Sequence, residues 1–115
     1  MSLVAIGGSD LAVEALLRPY MAAEKTEHSR EAIGSRLAVT RSVVGLNQVE
    51  FAKKAKIAPN TYNQYEQGKK RPSLGNAIKL CDAFDLTLDW IYVGDPSGLR
   101  YEMAEAIKAI RNARH

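Results

Sequence analysis

Four side-chain amides fall within one short stretch of the chain, residues 57–72, and they are Asn60, Asn63, Gln64 and Gln67. Successive residues of an α-helix turn by about 100°, so a helix here would hold all four amides on one face and Tyr62 and Tyr65 on the other. A primary amide offers a donor beside an acceptor, the pair that binds the N6 and N7 edge of adenine. The alternative is a neutral, solvated face, and the amides alone do not decide between the two.

Positive charge is concentrated around the same stretch. Residues 28–72 carry nine cations and three anions, a net charge of +6, whereas residues 1–27 carry −2 and residues 73–115 carry −1. Three of these cations, Lys69, Lys70 and Arg71, directly follow Gly68. This distribution favours a polyanionic partner such as DNA, although many such cations simply keep a surface solvated.

The spacing of apolar residues predicts the elements that would position these side chains. Apolar residues recur at three and four positions, and no stretch alternates as a strand does, so the sequence predicts an all-α fold. Ser29 is a good N-cap for a helix whose inner face carries Ile33, Leu37 and Val44. Thr40 interrupts that row, where its methyl group could pack.

Two further helices should follow in close succession. Asn47, with Glu50 three residues on, predicts a capping box at the start of a short helix. Pro59 suits the first position of the helix that carries the amides, and Gly68 ends it. A short, tight turn should therefore join this pair of helices.

The remaining helices are predicted from the same signals. Ser73 caps a helix whose apolar residues are Leu74, Ala77, Ile78, Cys81 and Phe84. Thr87 caps a short segment that Gly94 ends. A final amphipathic helix then has one apolar face, formed by Leu99, Met103, Ala106, Ile107 and Ile110.

Composition excludes several classes of protein. The chain of 115 residues is 46% hydrophobic and 25% charged, typical of a globular domain, with no apolar run long enough for a membrane span. The single cysteine, Cys81, predicts a buried apolar role and no disulfide. The two histidines, His28 and His115, belong to no metal or catalytic constellation, so we expect no enzyme activity and no cofactor. The first residues lack the features of a signal peptide, which predicts a cytoplasmic protein.

The segment "LNQVEFAKKAKIAPNTYNQYEQGKKRPS" resembles the helix-turn-helix of the Cro/C1-type (XRE) family of phage and bacterial regulators. The positions that carry the resemblance are Leu46, Asn47, Gln48, Phe51, Ala52, Glu66, Gly68 and Pro72. The later "LTLDWIYVGD" resembles the family's fifth helix. The resemblance covers residues 30 to about 95 and implies a lambda-repressor-like, five-helix DNA-binding domain.

This resemblance suggests a division of the chain. Residues 1–28 would form an N-terminal arm, with a helix through residues 11–21 that Pro19 ends or kinks. Residues 29–95 would form the Cro/C1-type domain. Residues 96–115 would form an extra C-terminal helix, in which Leu99, Met103, Ile107 and Ile110 either pack on the core or pair with a second subunit.

The resemblance also assigns roles to single residues. The base-contacting side chains would be Pro59, Asn60, Asn63 and Gln64. The phosphate-contacting residues would be Asn47, Gln48, Thr61, Lys69, Lys70 and Arg71. In several family members an arginine of the first helix pairs with the glutamate of the recognition helix, which corresponds to a structural ion pair between Arg41 and Glu66.

Two positions depart from the family pattern. Lys56 stands where the family often has glycine in the turn, which makes the geometry of that turn less predictable. Ala58 replaces the usual Ser or Thr cap, at a cost of roughly 0.5–2 kcal/mol that Pro59 partly offsets.

The resemblance implies a sequence-specific transcriptional regulator, a repressor, that reads the major groove with the helix from Pro59 to Gln67. Its partner would be double-stranded DNA with a pseudo-palindromic operator, bound by a homodimer in the cytoplasm on nucleoid or phage DNA. The sequence does not show whether a small-molecule effector exists. The alternative is a protein-interaction module, such as an antitoxin or a coactivator component, because the same fold also serves that purpose.

Overall fold

The computed structural model describes residues 28–113, and every regular element in this part of the chain is helical. The elements are α1 (Arg30–Val44), α2 (Gln48–Lys54), α3 (Pro59–Glu66), α4 (Leu74–Phe84), a π-helix (Asp89–Val93) and α5 (Tyr101–Ala113). The predicted all-α fold is confirmed for these residues. The helix predicted over residues 11–21 lies outside the described part, as does the N-terminal arm except for His28.

Three helices begin at the side-chain caps that the sequence predicts. The hydroxyls of Ser29 and Ser73 each accept a hydrogen bond from the backbone N–H three residues on, at 3.0 and 3.2 Å. Asn47 and Glu50 form a complete capping box, with reciprocal bonds of 2.8 and 3.0 Å. These bonds satisfy N–H groups that have no partner inside the helix, so local sequence fixes where α1, α2 and α4 begin.

Aromatic side chains from α2, α3 and α4 meet in the centre of the core. The rings of Phe51 and Phe84 stack with their centroids 4.0 Å apart, and Tyr62 packs against Phe51 at 5.2 Å. The largest fully buried side chains are those of Trp90, Arg36, Tyr62, Phe51, Ile33, Leu37, Leu80, Ile91 and Thr40. Burial of each large apolar side chain contributes about 1.5–3 kcal/mol, so this core holds α3 firmly against α1 and α2.

Two polar residues in the inner row of α1 bind the π-helix. Thr40 Oγ1 accepts a hydrogen bond from Trp90 Nε1 at 2.9 Å and donates to Arg36 O at 2.8 Å. Arg36 donates through Nε and Nη2 to Ile91 O, at 3.2 and 2.9 Å. Thr40 therefore holds its place in an apolar row by hydrogen bonding to Trp90, and not by its methyl group alone.

The segment that Thr87 was expected to cap is a π-helix. Thr87 Oγ1 accepts a hydrogen bond from Trp90 N at 3.0 Å, and Gly94 ends the segment with a φ of 83°. The wider π-helical turn accompanies the deep burial of Trp90 and Ile91, which bond to α1 through the Trp90 indole and the Ile91 carbonyl. The cap and the stop are where the sequence predicts them, but the winding between them is set by the core.

The apolar residues of α4 do not all face the core. Ala77 and Leu80 are fully buried, whereas Leu74 and Ile78 are 60% and 45% exposed. Cys81 is half-buried against the core, and burial raises the pKa of its thiol. The outer side of α4 therefore carries an apolar pair one helical turn apart.

Helix α5 packs against α1 and adds to the same core. Ile107 is 2% exposed and Leu99, just before α5, is 8% exposed. Met103 and Ile110 are partly buried against the core. No helix within residues 28–113 is long and apolar enough to cross a membrane.

Candidate nucleic-acid interface

A tight turn joins α2 to α3. Lys56 adopts the left-handed conformation, with a φ of 61°, at the position where the family often has glycine. The backbone N–H of Ile57 then donates to Ala52 O at 2.9 Å, and the Ile57 side chain is buried. This closes α2 and turns the chain at once into Pro59, the first residue of α3. The turn thus has the geometry of a glycine turn although it contains lysine.

The inner side of α3 is anchored by its two tyrosines. Tyr62 and Tyr65 are 0% and 3% exposed. The Tyr65 hydroxyl accepts a hydrogen bond from Asn76 Nδ2 of α4 at 2.8 Å. On the α1 side, a Cβ added at Gly34 would lie 2.8 Å from the Glu66 carbonyl oxygen, so only glycine permits this approach. No local sequence pattern marks Gly34, because the requirement for glycine arises only from this helix contact.

The outer side of α3 carries the four amides, as the helical geometry predicts. Asn60 and Gln67 are exposed, and Asn63 and Gln64 are half-buried, as are Pro59 and Thr61. Within residues 28–113, the side chains of Asn60, Gln64 and Gln67 form no hydrogen bond. These three amides keep their donors and acceptors available for a ligand.

A carboxylate at the end of α3 collects hydrogen bonds from three helices. Arg41 of α1 donates to Glu66 through Nε at 2.7 Å and through Nη2 at 3.1 Å. Tyr62 Oη also donates to Glu66, and so does Gln48 Nε2 of α2, at 2.9 Å. Paired charge-assisted bonds of this kind are stronger than neutral ones and fix geometry. Glu66 therefore joins α1 and α2 to the end of α3.

The electrostatics of this cluster follow from burial and pairing. Burial would raise the pKa of Glu66, but hydrogen bonds from Arg41, Tyr62 and Gln48 outweigh it and lower that pKa. The Glu66 hydrogen bond raises the pKa of Arg41. Burial, together with Glu66, raises the pKa of the Tyr62 phenol. The cluster therefore holds an ionised carboxylate against a cation and a neutral phenol at neutral pH.

Two of the amides predicted to contact DNA also bond to each other. Asn63 Nδ2 donates to Gln48 Oε1 at 2.7 Å, while Gln48 donates to Glu66. Gln48 lies at the first position of α2, as expected for a phosphate contact, but both ends of its amide have a partner. No local sequence signal indicates this bond, because the two residues meet only when α2 packs on α3.

Hydrogen bonds to its backbone carbonyls hold the basic loop after α3 in place. Arg30 Nη1 donates to Lys69 O at 3.3 Å, and Tyr92 Oη donates to Pro72 O at 2.8 Å. Arg71 Nη2 donates to His28 O at 2.6 Å, so its guanidinium already has one partner. The side chains of Lys69 and Lys70 are exposed. The loop is thus held in place with both ammonium groups in solvent.

Asn47 completes the set of predicted contacts. Its side-chain oxygen caps α2 by accepting from Glu50 N, while the residue as a whole is exposed. Among residues 28–113, no group of three or more His, Cys, Asp or Glu side chains could hold a metal ion.

Two helices joined by a tight turn, the second with a buried inner face and a polar outer face, define a helix-turn-helix. Residues 44–91 match the family model described as "Helix-turn-helix". This part of the chain is thus similar to the helix-turn-helix family.

One curated relative is the "Cryptic phage CTXphi transcriptional repressor RstR" of Vibrio cholerae serotype O1 (strain ATCC 39315 / El Tor Inaba N16961). It is 32% identical over 57 residues, which cover 50% of this chain and 51% of the relative. The chain thus spans about half the length of this relative. No solved structure matches the chain.

Proposed function

We propose that this protein is a sequence-specific DNA-binding transcriptional regulator, a repressor, that inserts α3 into the major groove. The observation that carries the proposal is the outer face of α3, where unbonded amides project from a helix that buried tyrosines hold rigidly. The match to a helix-turn-helix family and the likeness to a phage repressor support it. Such a regulator would act in the cytoplasm on nucleoid or phage DNA.

In this proposal the bases are read from the first two turns of α3. The base-contacting residues are Pro59, Asn60, Asn63 and Gln64. Pro59 has no side-chain donor, so it would contribute only apolar contact, such as with a thymine methyl group. Direct hydrogen-bonded readout would therefore depend on the three amides.

Phosphates would be bound on both sides of this reading face. The proposed contacts are Asn47, Gln48, Thr61, Lys69, Lys70 and Arg71. Lys69 and Lys70 are the strongest of these, because their side chains are exposed and their loop is anchored to α1. Phosphate contacts of this kind position the protein without reading sequence.

We further propose that the protein binds a pseudo-palindromic operator as a homodimer, with half-sites about one helical turn apart. Leu74 and Ile78 on α4 support self-association, because they form an exposed apolar pair that a second subunit could cover. The pair lies directly after the basic loop. The α5 face supports it less, because Ile107 and Leu99 are already buried in their own core. Sedimentation of Leu74→Glu against the unchanged chain tests this, and we expect loss of the dimer.

Selection of binding sites from random duplexes tests the regulator proposal. We expect enrichment of one motif with two-fold symmetry. Retention that depends only on salt, with no motif enriched, would refute sequence-specific recognition.

Lys70→Ala separates the phosphate contacts from the base contacts. It should weaken binding to every duplex alike and reduce the slope of log affinity against log salt by about one unit. Lys108→Ala is the matched control, since Lys108 is an exposed lysine on α5 and should leave that slope unchanged.

A protein-interaction role is the second candidate, and one groove favours it. Between α1, α4 and α5 lies a groove of about 560 Å³ whose lining includes Val43, Val44, Phe84, Met103 and Ala106. If the groove binds a protein partner, Met103→Glu should release a co-purified partner and DNA binding should be absent throughout. Ile107 is unsuitable for this test because it is buried in the core.

A further inference from the structure

The side chain of Gln48 connects the buried ion pair to the outer face of α3. Its Nε2 donates to Glu66 Oε1 at 2.9 Å, and its Oε1 accepts from Asn63 Nδ2 at 2.7 Å. The same Glu66 oxygen also accepts from Arg41 Nη2 at 3.1 Å. Asn63 is therefore linked to a charged pair through a single amide.

This chain of bonds fixes the direction of both amides. A carboxylate can only accept hydrogen bonds, so Gln48 must turn its NH₂ group toward Glu66 and its oxygen toward α3. Asn63 can bond to that oxygen only through Nδ2. The Oδ1 atom of Asn63 is then left to accept from a ligand, together with the second N–H of Nδ2 as a donor.

We propose that Gln48 is a positioning residue for base recognition, which sets Asn63 to accept a hydrogen bond from the exocyclic amino group of a base. In the major groove these groups are N6 of adenine and N4 of cytosine. Guanine O6 and thymine O4 are acceptors and would face Asn63 Oδ1 without a proton between them. The inference rests on the proposed function and adds the class of base read at one position.

The full-length chain tests this in two steps. Asn63→Ala first identifies the operator position at which preference is lost. Competition binding then compares four duplexes that differ only in the base pair at that position. We expect adenine or cytosine on the contacted strand to exceed guanine and thymine by at least about fivefold. A preference for adenine over cytosine would indicate that the remaining Asn63 N–H donates a hydrogen bond to adenine N7.

Gln48→Met then removes the link while keeping the length of the side chain. Asn63 becomes free to turn its amide over, so the preference for amino-bearing bases should fall to within about twofold, while preferences at other positions persist. Asn112→Leu makes the corresponding change from an amide to an alkyl group at an exposed residue of α5 and should leave the preference intact. If Gln48→Met does not fold, Gln48→Asn provides the same test, because its side chain is one methylene too short to join Glu66 and Asn63.

A preference of the unchanged chain for guanine or thymine would overturn the inference. So would an unaltered preference in both Gln48 variants, or no position responding to Asn63→Ala. If selection enriches no motif at all, the proposed function fails as well, and the two failures are thus distinguishable.

Discussion

The inner and outer faces of α3 differ in whether their polar side chains have hydrogen-bond partners. On the inner face Tyr62 and Tyr65 are buried, and the Glu66 carboxylate accepts hydrogen bonds from three side chains. On the outer face the side chains of Asn60 and Gln64 form no hydrogen bond within residues 28–113. A single eight-residue helix therefore separates the side chains that the fold requires from those that it leaves available for a ligand.

The strongest test of the inner face is Glu66→Ala. It removes the acceptor for Arg41, Tyr62 and Gln48 and leaves the partly buried Arg41 guanidinium without a counter-charge, with only the Leu46 carbonyl as a hydrogen-bond partner. We expect a loss of about 3–5 kcal/mol in the free energy of unfolding, measured by urea denaturation. Glu105→Ala is the control, because Glu105 is exposed on α5 and the change should stay within about 0.5 kcal/mol. If both variants lost the same small amount of unfolding free energy, the inner face of α3 would not depend on the Glu66 carboxylate, which would contradict this account.

The same carboxylate predicts how stability depends on pH. Because the pKa of Glu66 is lower in the folded chain than its ordinary value of 4.5, the unfolded chain takes up a proton first as the pH falls. The stabilisation by Glu66 is fully present above pH 4.5 and is lost as the pH falls below it. Urea denaturation of Glu66→Gln across this range should show a weaker acid dependence than the unchanged chain. Parallel curves for the two proteins would show that the Glu66 carboxylate contributes nothing to the acid dependence of stability.

A capping change at the start of α3 should strengthen the helix without touching either face. Ala58 occupies the N-cap and makes no side-chain hydrogen bond. Ala58→Ser supplies a hydroxyl that can accept from a free N–H of the first turn, and we expect a gain of about 1 kcal/mol in thermal or urea unfolding. Base preferences should not change. A changed preference would indicate that the amides are positioned by the helix start, and not by the inner face.

The smallest expected effect lies in the turn before α3. Lys56 has a φ of 61°, which strains a residue with a side chain, whereas glycine adopts it freely. Lys56→Gly should therefore stabilise the chain by about 0.5 kcal/mol after the greater flexibility of the unfolded chain is counted. Lys53→Gly, inside α2, should instead destabilise it by about 1 kcal/mol. A loss of stability in both would contradict the strained turn.

Local signals predicted much of the fold. Ser29, Asn47 and Ser73 cap the helices that follow them, because a cap involves only residues within one turn. The opposed faces of α3 also follow from helical geometry alone. The contact between Arg41 and Glu66 was anticipated only through the family resemblance, since the two residues lie far apart along the chain.

Features that depend on packing between helices were not predicted. Arg36 lies in the apolar row of α1 and is buried because the π-helix presents the Ile91 carbonyl to it. Leu74 and Ile78 face solvent because Ala77 and Leu80 pack on the core instead. The bond between Gln48 and Asn63 likewise exists only once α2 and α3 meet. The outward-facing amides could thus be read from the sequence, but not the bond that holds one of them.

The most direct test of the division between the two faces is a paired measurement on Gln64→Ala, which removes an amide that no part of the described fold uses. Its unfolding free energy and its binding to the selected duplex and to single-base variants should be measured on the same sample. We predict a stability within about 0.5 kcal/mol of the unchanged chain and a loss of about 1–3 kcal/mol of preference at one operator position. A clear loss of stability with base preferences unchanged would contradict the account.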